Sequence, residues 1–290
     1  GCLSGARDLC AAWHAHSVIG RRTGGSYESG GAGGCGSSRG SRGIGKAVGR
    51  EFGLEGMKVV LVARGQEALE ETARELSNET GAEYITLVAD MGDPKSVTTM
   101  VKEAAEKLGS IDILVNSAAR VGGAYTPKLA EITEDDFWGD MNVKVMGYLR
   151  CAQAVAPYMI EQGWGRIINL SGMAARQAGY AVGSMRNVSV SALSKNLADE
   201  LGPQGINVTT VHPGMTYTER IPDMLESQAK AQGITVEEAE QQMANRNTIR
   251  HIVDATEVAY VVAFLASPRS ISINGDAIAA GGGIPRAIHY

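Results

Sequence analysis

From Ile44 onward the apolar residues alternate between two spacings. Ile44, Ala47, Val48, Phe52 and Leu54 recur at helical intervals and predict a helix that breaks at Gly56. The run Val59-Val60-Leu61-Val62 that follows has the continuous apolar character of a buried strand. The alternation then repeats: a helix over 66–76, a strand over 84–89, a helix over 94–108 with Pro94 in its first turn, and a strand over 111–115. A long helix over 135–159 precedes a strand at 166–170, a helix over 184–201 and a strand at 206–211. A helix over 256–266 and a short strand at 277–280 close the pattern. Apolar strands separated by helices predict an α/β fold, with a parallel sheet covered by helices on both faces and right-handed crossovers between strands. No internal linker interrupts 37–290, which reads as a single domain.

Composition adds one irregularity. Ten of the 37 glycines fall in residues 1–36, as do Cys2, Cys10 and Cys35, whereas the rest of the chain carries only Cys151. That segment reads as Gly-rich and disordered or irregular, a leader or a stretch that is not native sequence. Its apolar pieces, Cys10-Ala-Ala-Trp13 and Val18-Ile19, are short, and it lacks the basic and apolar regions of a signal peptide. Cys2, Cys10, His14, His16 and Cys35 lack the spacing of metal ligands, so no metal is expected. A lone Cys151 in the folded part suits a reduced, cytoplasmic protein. No apolar run reaches the roughly 18–20 residues that a membrane helix needs. A formal charge of -5 gives no general attraction to a phosphate backbone. Neither a membrane nor a nucleic acid is therefore an expected partner; a small-molecule substrate is.

In a sheet of this kind, ligands bind beyond the carboxyl ends of the strands. The turn Ser38-Arg39-Gly40-Ser41-Arg42-Gly43-Ile44-Gly45 opens the first helix, where glycines let a dinucleotide diphosphate approach exposed N–H groups. After the strand Val59-Val60-Leu61-Val62 stands Arg64, on the side of Arg42. Two guanidiniums suit a 2′-phosphate, whereas a free ribose hydroxyl is usually read by an acid, so the dinucleotide expected here is one that carries a 2′-phosphate.

Several motifs in register carry a resemblance: Arg42-Gly43-Ile44-Gly45, Asn116-Ser117-Ala118-Ala119, Asn142-Val143, Asn169-Leu170-Ser171, Leu197-Ala198-Asp199-Glu200-Leu201-Gly202-Pro203, and Pro213-Gly214 followed by Thr218. From about Ser38 to the C-terminus the chain resembles the short-chain dehydrogenase/reductase family. The resemblance implies a Rossmann-type, doubly wound and mostly parallel sheet of seven strands, a nicotinamide cofactor, and a homodimer or homotetramer. It implies cofactor contacts from Ser38, Arg42, Gly43, Ile44 and Gly45, from Arg64, and from Asp90 and Met91 after the third strand of the family pattern. Asn116 and Ala118 fall on the adenosine-ribose side, and Pro213, Gly214 and Thr218 near the nicotinamide. It also implies a mobile lid over 219–250, lined by Ile221, Met224 and Met243.

The reaction centre departs from the family pattern, which expects a Ser, a Tyr and a Lys four residues after the Tyr, completed by an Asn from the long helix. Counting back from Glu200-Leu201-Gly202-Pro203 puts the Tyr position on Gly183 and the Lys position on Asn187. The usual Ser position falls on Gly172, with Ser171 one residue early; Asn142 is the clear match to the relay. The candidate catalytic residues are Ser171, Asn142 and Tyr180, the last on the loop before the vacant Tyr position. Ser191 and Lys195 have the right mutual spacing but lie eight residues late, about 12 Å along a helix at roughly 1.5 Å per residue. His212 reads as a packed histidine at a strand end, able to titrate near neutrality. A positioned general acid contributes on the order of a hundred- to ten-thousandfold in rate. Two readings follow: an NADP(H)-dependent oxidoreductase acting on a carbonyl or alcohol with atypical catalytic residues, or a cofactor-binding protein of this fold that acts as a scaffold or catalyses a non-redox reaction in the same cleft.

The sheet has one defect in sequence. Its central first strand is expected immediately before the glycine turn, where Gly30-Gly31-Ala32-Gly33-Gly34-Cys35-Gly36-Ser37-Ser38 stands. Glycine is entropically costly in a strand and packs nothing. Pairing of 30–38 is expected to be weak or irregular, and diphosphate binding impaired.

Overall fold

A computed structural model describes residues 17–21, 43–118, 128–219 and 221–286. In chain order the elements are β1 (Ser17–Arg21), α1 (Gly43–Leu54), β2 (Lys58–Ala63), α2 (Gln66–Thr80), β3 (Tyr84–Val88), α3 (Pro94–Leu108) and β4 (Ile113–Asn116). Next come α4 (Glu134–Asp140), a π-helical stretch (Met141–Met146), α5 (Gly147–Gln162), β5 (Gly165–Leu170), α6 (Ala181–Leu201), β6 (Ile206–Pro213) and β7 (Thr216–Tyr217). The chain closes with α7 (Ile221–Gln232), α8 (Val236–Ala244), β8 (Val253–Asp254), α9 (Ala255–Ala266) and β9 (Ala277–Ala280).

One seven-stranded sheet runs in the order β3-β2-β1-β4-β5-β6-β9. The pairs β2–β3, β4–β5, β5–β6 and β6–β9 are parallel. This is the mostly parallel, Rossmann-type sheet that the apolar runs predict. Side chains alternate between its two faces. Ile19, Val60, Leu114 and Ile167 pack with α3, α5 and α6 on one side, and Val18, Leu61, Val115 and Ile168 pack with α1, α2 and α9 on the other.

The central strand corrects the sequence expectation. It is built from Ser17-Val-Ile-Gly-Arg21 inside the glycine-rich segment, and it runs antiparallel to both neighbours, with Val18 opposite Leu61 and Val115. Residues 30–38, where the strand was expected, lie outside the described residues. Val18 and Ile19 are fully buried on opposite faces, and burying two such side chains contributes roughly 1.5–3 kcal/mol each. Two β-branched residues thus suffice for a central strand of five residues, because the neighbouring strands supply the ladder on both edges. The direction has a topological consequence. Ser17 lies level with Val62 and Asn116, at the carboxyl ends of β2 and β4, so the chain leaves β1 at the opposite edge, and residues 22–42 separate it from α1.

The long helix expected over 135–159 is three pieces in sequence. Thr133 opens α4 with a reciprocal capping box to Asp136. The π-helical stretch follows, in which the Gly147 N–H reaches back to the Asn142 carbonyl. Gly147 then lets the helix press on the loop after β3, since a Cβ there would lie 3.0 Å from Met91 Cβ. Helix α6 begins at Ala181, three residues earlier than the apolar spacing predicts.

Candidate active site

The carboxyl ends of β2, β4, β5 and β6 form one edge of the sheet, and nearly all the described candidate residues lie along it. Arg64 follows β2 and is exposed. Asp90 follows β3 in a turn closed on itself: its carboxylate accepts from Gly92 N at 2.8 Å. Met91 is buried in the core. At the end of β4, Asn116 is fully buried, and its amide donates to Asn169 Oδ1 on β5 at 2.9 Å. Asn169 in turn donates to Ser194 Oγ on α6. The structure therefore commits the Asn116 amide to the strand ends, not to the surface of the cleft. Ala118 is also buried, and its carbonyl accepts from Tyr148 Oη, which donates to the Leu170 carbonyl as well. That hydroxyl ties the ends of β4 and β5 together, and burial pushes its pKa up.

Gly43 and Gly45 are buried at the start of α1, with Ile44 between them packed against the core. Gly43 has a left-handed φ of 67°, which glycine adopts without strain. Its N–H donates to Glu219 Oε2 at 2.9 Å, so a carboxylate already sits where a helix N-terminus attracts an anion. Ser38 and Arg42 lie outside the described residues. At the end of β6, Pro213 is followed by Gly214, which touches Gly281: a Cβ on Gly214 would stand 2.8 Å from Gly281 Cα. Thr218 follows, half-buried, next to Glu219.

The segment expected as a lid contains α7 and α8. Ile221 and Met243 are buried in a small core between these helices with Leu225, Ala229 and Ala239, so they hold the pair together. Of the three residues expected to line the site, Met224 is the exposed one. The far end of the segment is pinned where Thr248 Oγ1 donates to the Gly282 carbonyl at 2.7 Å.

Beyond β5 the polar side chains converge. Ser171 Oγ donates to the Asn187 carbonyl at 2.9 Å. Lys144, from the π-helical stretch, reaches in from the facing element: its Nζ donates to the Ser171 carbonyl at 2.8 Å and to Asn187 Oδ1 at 3.1 Å. Lys144 is 4 % exposed and Asn187 is 3 % exposed. Burial, reinforced by the Arg186 guanidinium and opposed by Asp140, pulls the Lys144 pKa down to about 7. Arg186 and Asp140 are themselves paired at 2.7 Å. His212 on β6 accepts from Gly172 N at 3.4 Å and lies 3.5 Å from Ser191 Oγ. A Cβ on Gly172 would stand 3.2 Å from Asn187 Nδ2, so this turn lies directly against the amide. Tyr180 precedes α6, and its ring lies over Gly183, where a Cβ would meet it at 3.2 Å.

Asn142 is not part of this cluster. Its amide donates to the Gly92 carbonyl at 3.2 Å, and its Oδ1 accepts from Arg150 at 2.8 Å. The side chain therefore braces the Asp90–Gly92 turn, which corrects the expectation that it joins Ser171. The sequence did carry a signal for Lys144: a lysine between Val143 and Val145, in a stretch otherwise flanked by Met141, Met146 and Tyr148. Its register was hidden by the π-helical stretch, which shifts every later residue around the helix axis. Among the described residues no group of three or more His, Cys, Asp or Glu is placed to hold a metal, and no helix is long and apolar enough to cross a membrane.

A family model described as enoyl-(acyl carrier protein) reductase matches residues 39–285. The chain belongs to the short-chain dehydrogenase/reductase family. Among its relatives, a putative ketoacyl reductase of Streptomyces coelicolor is 32% identical over 247 residues, 83% of this chain and 93% of that protein. The NADPH-dependent reductase BacG of Bacillus subtilis is 27% identical over 251 residues, 86% of this chain and 96% of that one. The L-sorbose reductase of Gluconobacter frateurii, solved with NADPH and L-sorbose, superposes with a TM-score of 0.79 at 27% identity, covering 85% of this chain and 94% of that structure. The family assignment spans the sheet edge and the polar cluster together.

Proposed function

We propose that the protein is an NADP(H)-dependent oxidoreductase that reduces a carbonyl group, with an atypical set of residues at its reaction centre. The observation that carries the reading is the Ser171, Asn187 and Lys144 cluster beside the cofactor edge of the sheet. The described residues fit a phosphorylated dinucleotide. The N-terminus of α1 already accepts a carboxylate in the place of a phosphate oxygen. Gly214 and Gly281 leave no Cβ on the turn near the nicotinamide. Arg64 provides a guanidinium after β2 for a 2′-phosphate. In this reading Gly43, Ile44, Gly45 and Ser38 border the diphosphate, and Arg42 joins Arg64 at the 2′-phosphate. Asp90 and Met91 border adenine, Ala118 borders the adenosine ribose over a floor formed by Asn116, and Pro213, Gly214 and Thr218 border the nicotinamide. The bound dinucleotide supplies the hydride. Ser171 turns its hydroxyl from the Asn187 carbonyl to the substrate oxygen, Tyr180 closes over Gly183, and Asn142 holds the turn after β3 in place. The segment 219–250 covers the substrate, and the chain works as a homodimer or homotetramer.

Relatives that reduce a ketoacyl group or a ketose by name support a carbonyl substrate. The test is a titration of NADPH by tryptophan fluorescence, followed by a carbonyl panel monitored through NADPH oxidation. Micromolar binding with turnover that disappears in Ser171→Ala is the expected result. Gly183 favours a second reading, a cofactor-binding member without turnover; it predicts stoichiometric NADPH binding and no reduction of any carbonyl in the panel.

A further inference from the structure

Within the reading of the protein as a carbonyl reductase, we propose that Lys144 is the proton donor of the reaction, delivered from the π-helical stretch, and that Lys144 and Asn187 exchange the helices from which this family's pattern expects its amine and its amide. The pattern expects a lysine from α6 and an asparagine from the long helix; here α6 brings Asn187 and the long helix brings Lys144. The two side chains meet at 3.1 Å, so the amine and the amide occupy one spot although their helices are reversed. An ammonium carries three donors. Two are used, on the Ser171 carbonyl and on Asn187 Oδ1, and no acceptor for the third is found among the described residues. A substrate oxygen beside Ser171 provides it.

The groups that face this amine are Asp140 on α4, Arg186 and Asn187 on α6 and Ser171 after β5. The Tyr148 phenol on α5 is held neutral by burial, and His212 on β6 meets the next residue, Gly172. With its pKa near 7, Lys144 can release a proton at neutral pH and regain one afterwards. The step balances: hydride from the dinucleotide forms the C–H bond, the carbonyl π pair takes a proton from the Lys144 ammonium, and an alcohol, the oxidised dinucleotide and a neutral amine result. Solvent then returns the proton to the amine.

The test compares wild type, Lys144→Met, Lys144→Arg and the double exchange Lys144→Asn with Asn187→Lys. For each protein, NADPH affinity, kcat for carbonyl reduction between about pH 6 and about pH 9, and melting temperature are measured. The Lys144 Nζ titration is followed by 15N-lysine NMR, with the signal assigned by its loss in Lys144→Met. In the expected result both single variants keep NADPH affinity within about threefold and lose about a hundredfold or more in kcat. Arginine keeps the charge but holds its proton at these pH values. The double exchange recovers at least about tenfold, the wild-type rate falls as pH rises through about 7, and the NMR midpoint lies there too. The proposal is overturned by a folded Lys144→Met or Lys144→Arg protein with wild-type kcat and pH profile, by a double exchange no better than the singles, or by an NMR midpoint in the ordinary lysine range. A wild-type protein that binds NADPH and reduces nothing overturns the carbonyl-reductase reading itself.

Discussion

The central strand and the reaction centre both keep a place while changing what fills it, and they do so at different levels of chemistry. In β1 the place is a slot between two strands. Such a slot asks for backbone donors and acceptors and for one apolar side chain on each face, and Val18 and Ile19 meet that demand with the strand reversed. A hydrogen-bonded ladder closes in either direction. At the proposed reaction centre the place is a point in space that asks for particular functional groups, and here an amine and an amide arrive from opposite helices. A core position is thus indifferent to sequence detail and direction, whereas a chemical position is indifferent only to which element carries the group.

The largest effect is expected at β1. Val18→Asp places a carboxylate at a fully buried site and is expected to cost more than about 4 kcal/mol, enough to unfold the protein. A urea midpoint equal to that of wild type would show that another segment fills the slot. At the reaction centre the effect falls on rate and not on stability: Ser171→Ala is expected to lower kcat about a hundredfold while the melting temperature stays near wild type. On the cofactor side, Arg64→Ala is expected to weaken NADPH binding about tenfold and to leave NADH binding almost unchanged, measured by fluorescence titration. A smaller gain comes from Glu219→Gln, which removes the carboxylate bound to the first N–H of α1. NADPH affinity should rise by about two- to fivefold, most clearly at low salt.

One pH effect separates the two regions again. Burial lowers the Lys144 pKa in the folded chain, so the folded state is penalised by the charged form at and below about pH 7. From pH 7 upward the unfolded chain binds the extra proton, and this penalty fades towards the ordinary lysine pKa, about 10.4. The difference in melting temperature between Lys144→Met and wild type should therefore shift in favour of wild type as pH rises from 7 to 10. The same comparison made with Val18→Ala should show no such trend.

Much of the sheet was legible because its strands are continuous apolar runs: Val59-Val60-Leu61-Val62 and Ile167-Ile168 announce buried parallel strands without help. The strand β1 was not, because two apolar residues among polar and glycine neighbours carry no periodicity, and a reversed central strand has no local signature. On the cofactor side Arg64, Asp90, Pro213 and Gly214 stand at strand ends, as their spacing predicts. Asn116 and Asn142 stand in the neighbourhood their spacing predicts, but the amide of Asn116 bonds Asn169 and that of Asn142 bonds Gly92 and Arg150, since spacing fixes a residue's height along an element and not the direction of its amide. Lys144 escaped because its meaning depends on a change of helical pitch, which lies in the backbone hydrogen bonds.

In the proposed reaction hydride and proton meet at the Ser171 cluster, and isotope transfer reads that event directly. With NADPH carrying deuterium at the transferred position and a carbonyl substrate from the panel, wild-type enzyme should yield an alcohol that bears the deuterium. The yield should drop about a hundredfold in Lys144→Met although NADPH still binds. Bound NADPH with no label in any product, or label transfer undiminished in Lys144→Met, would contradict it.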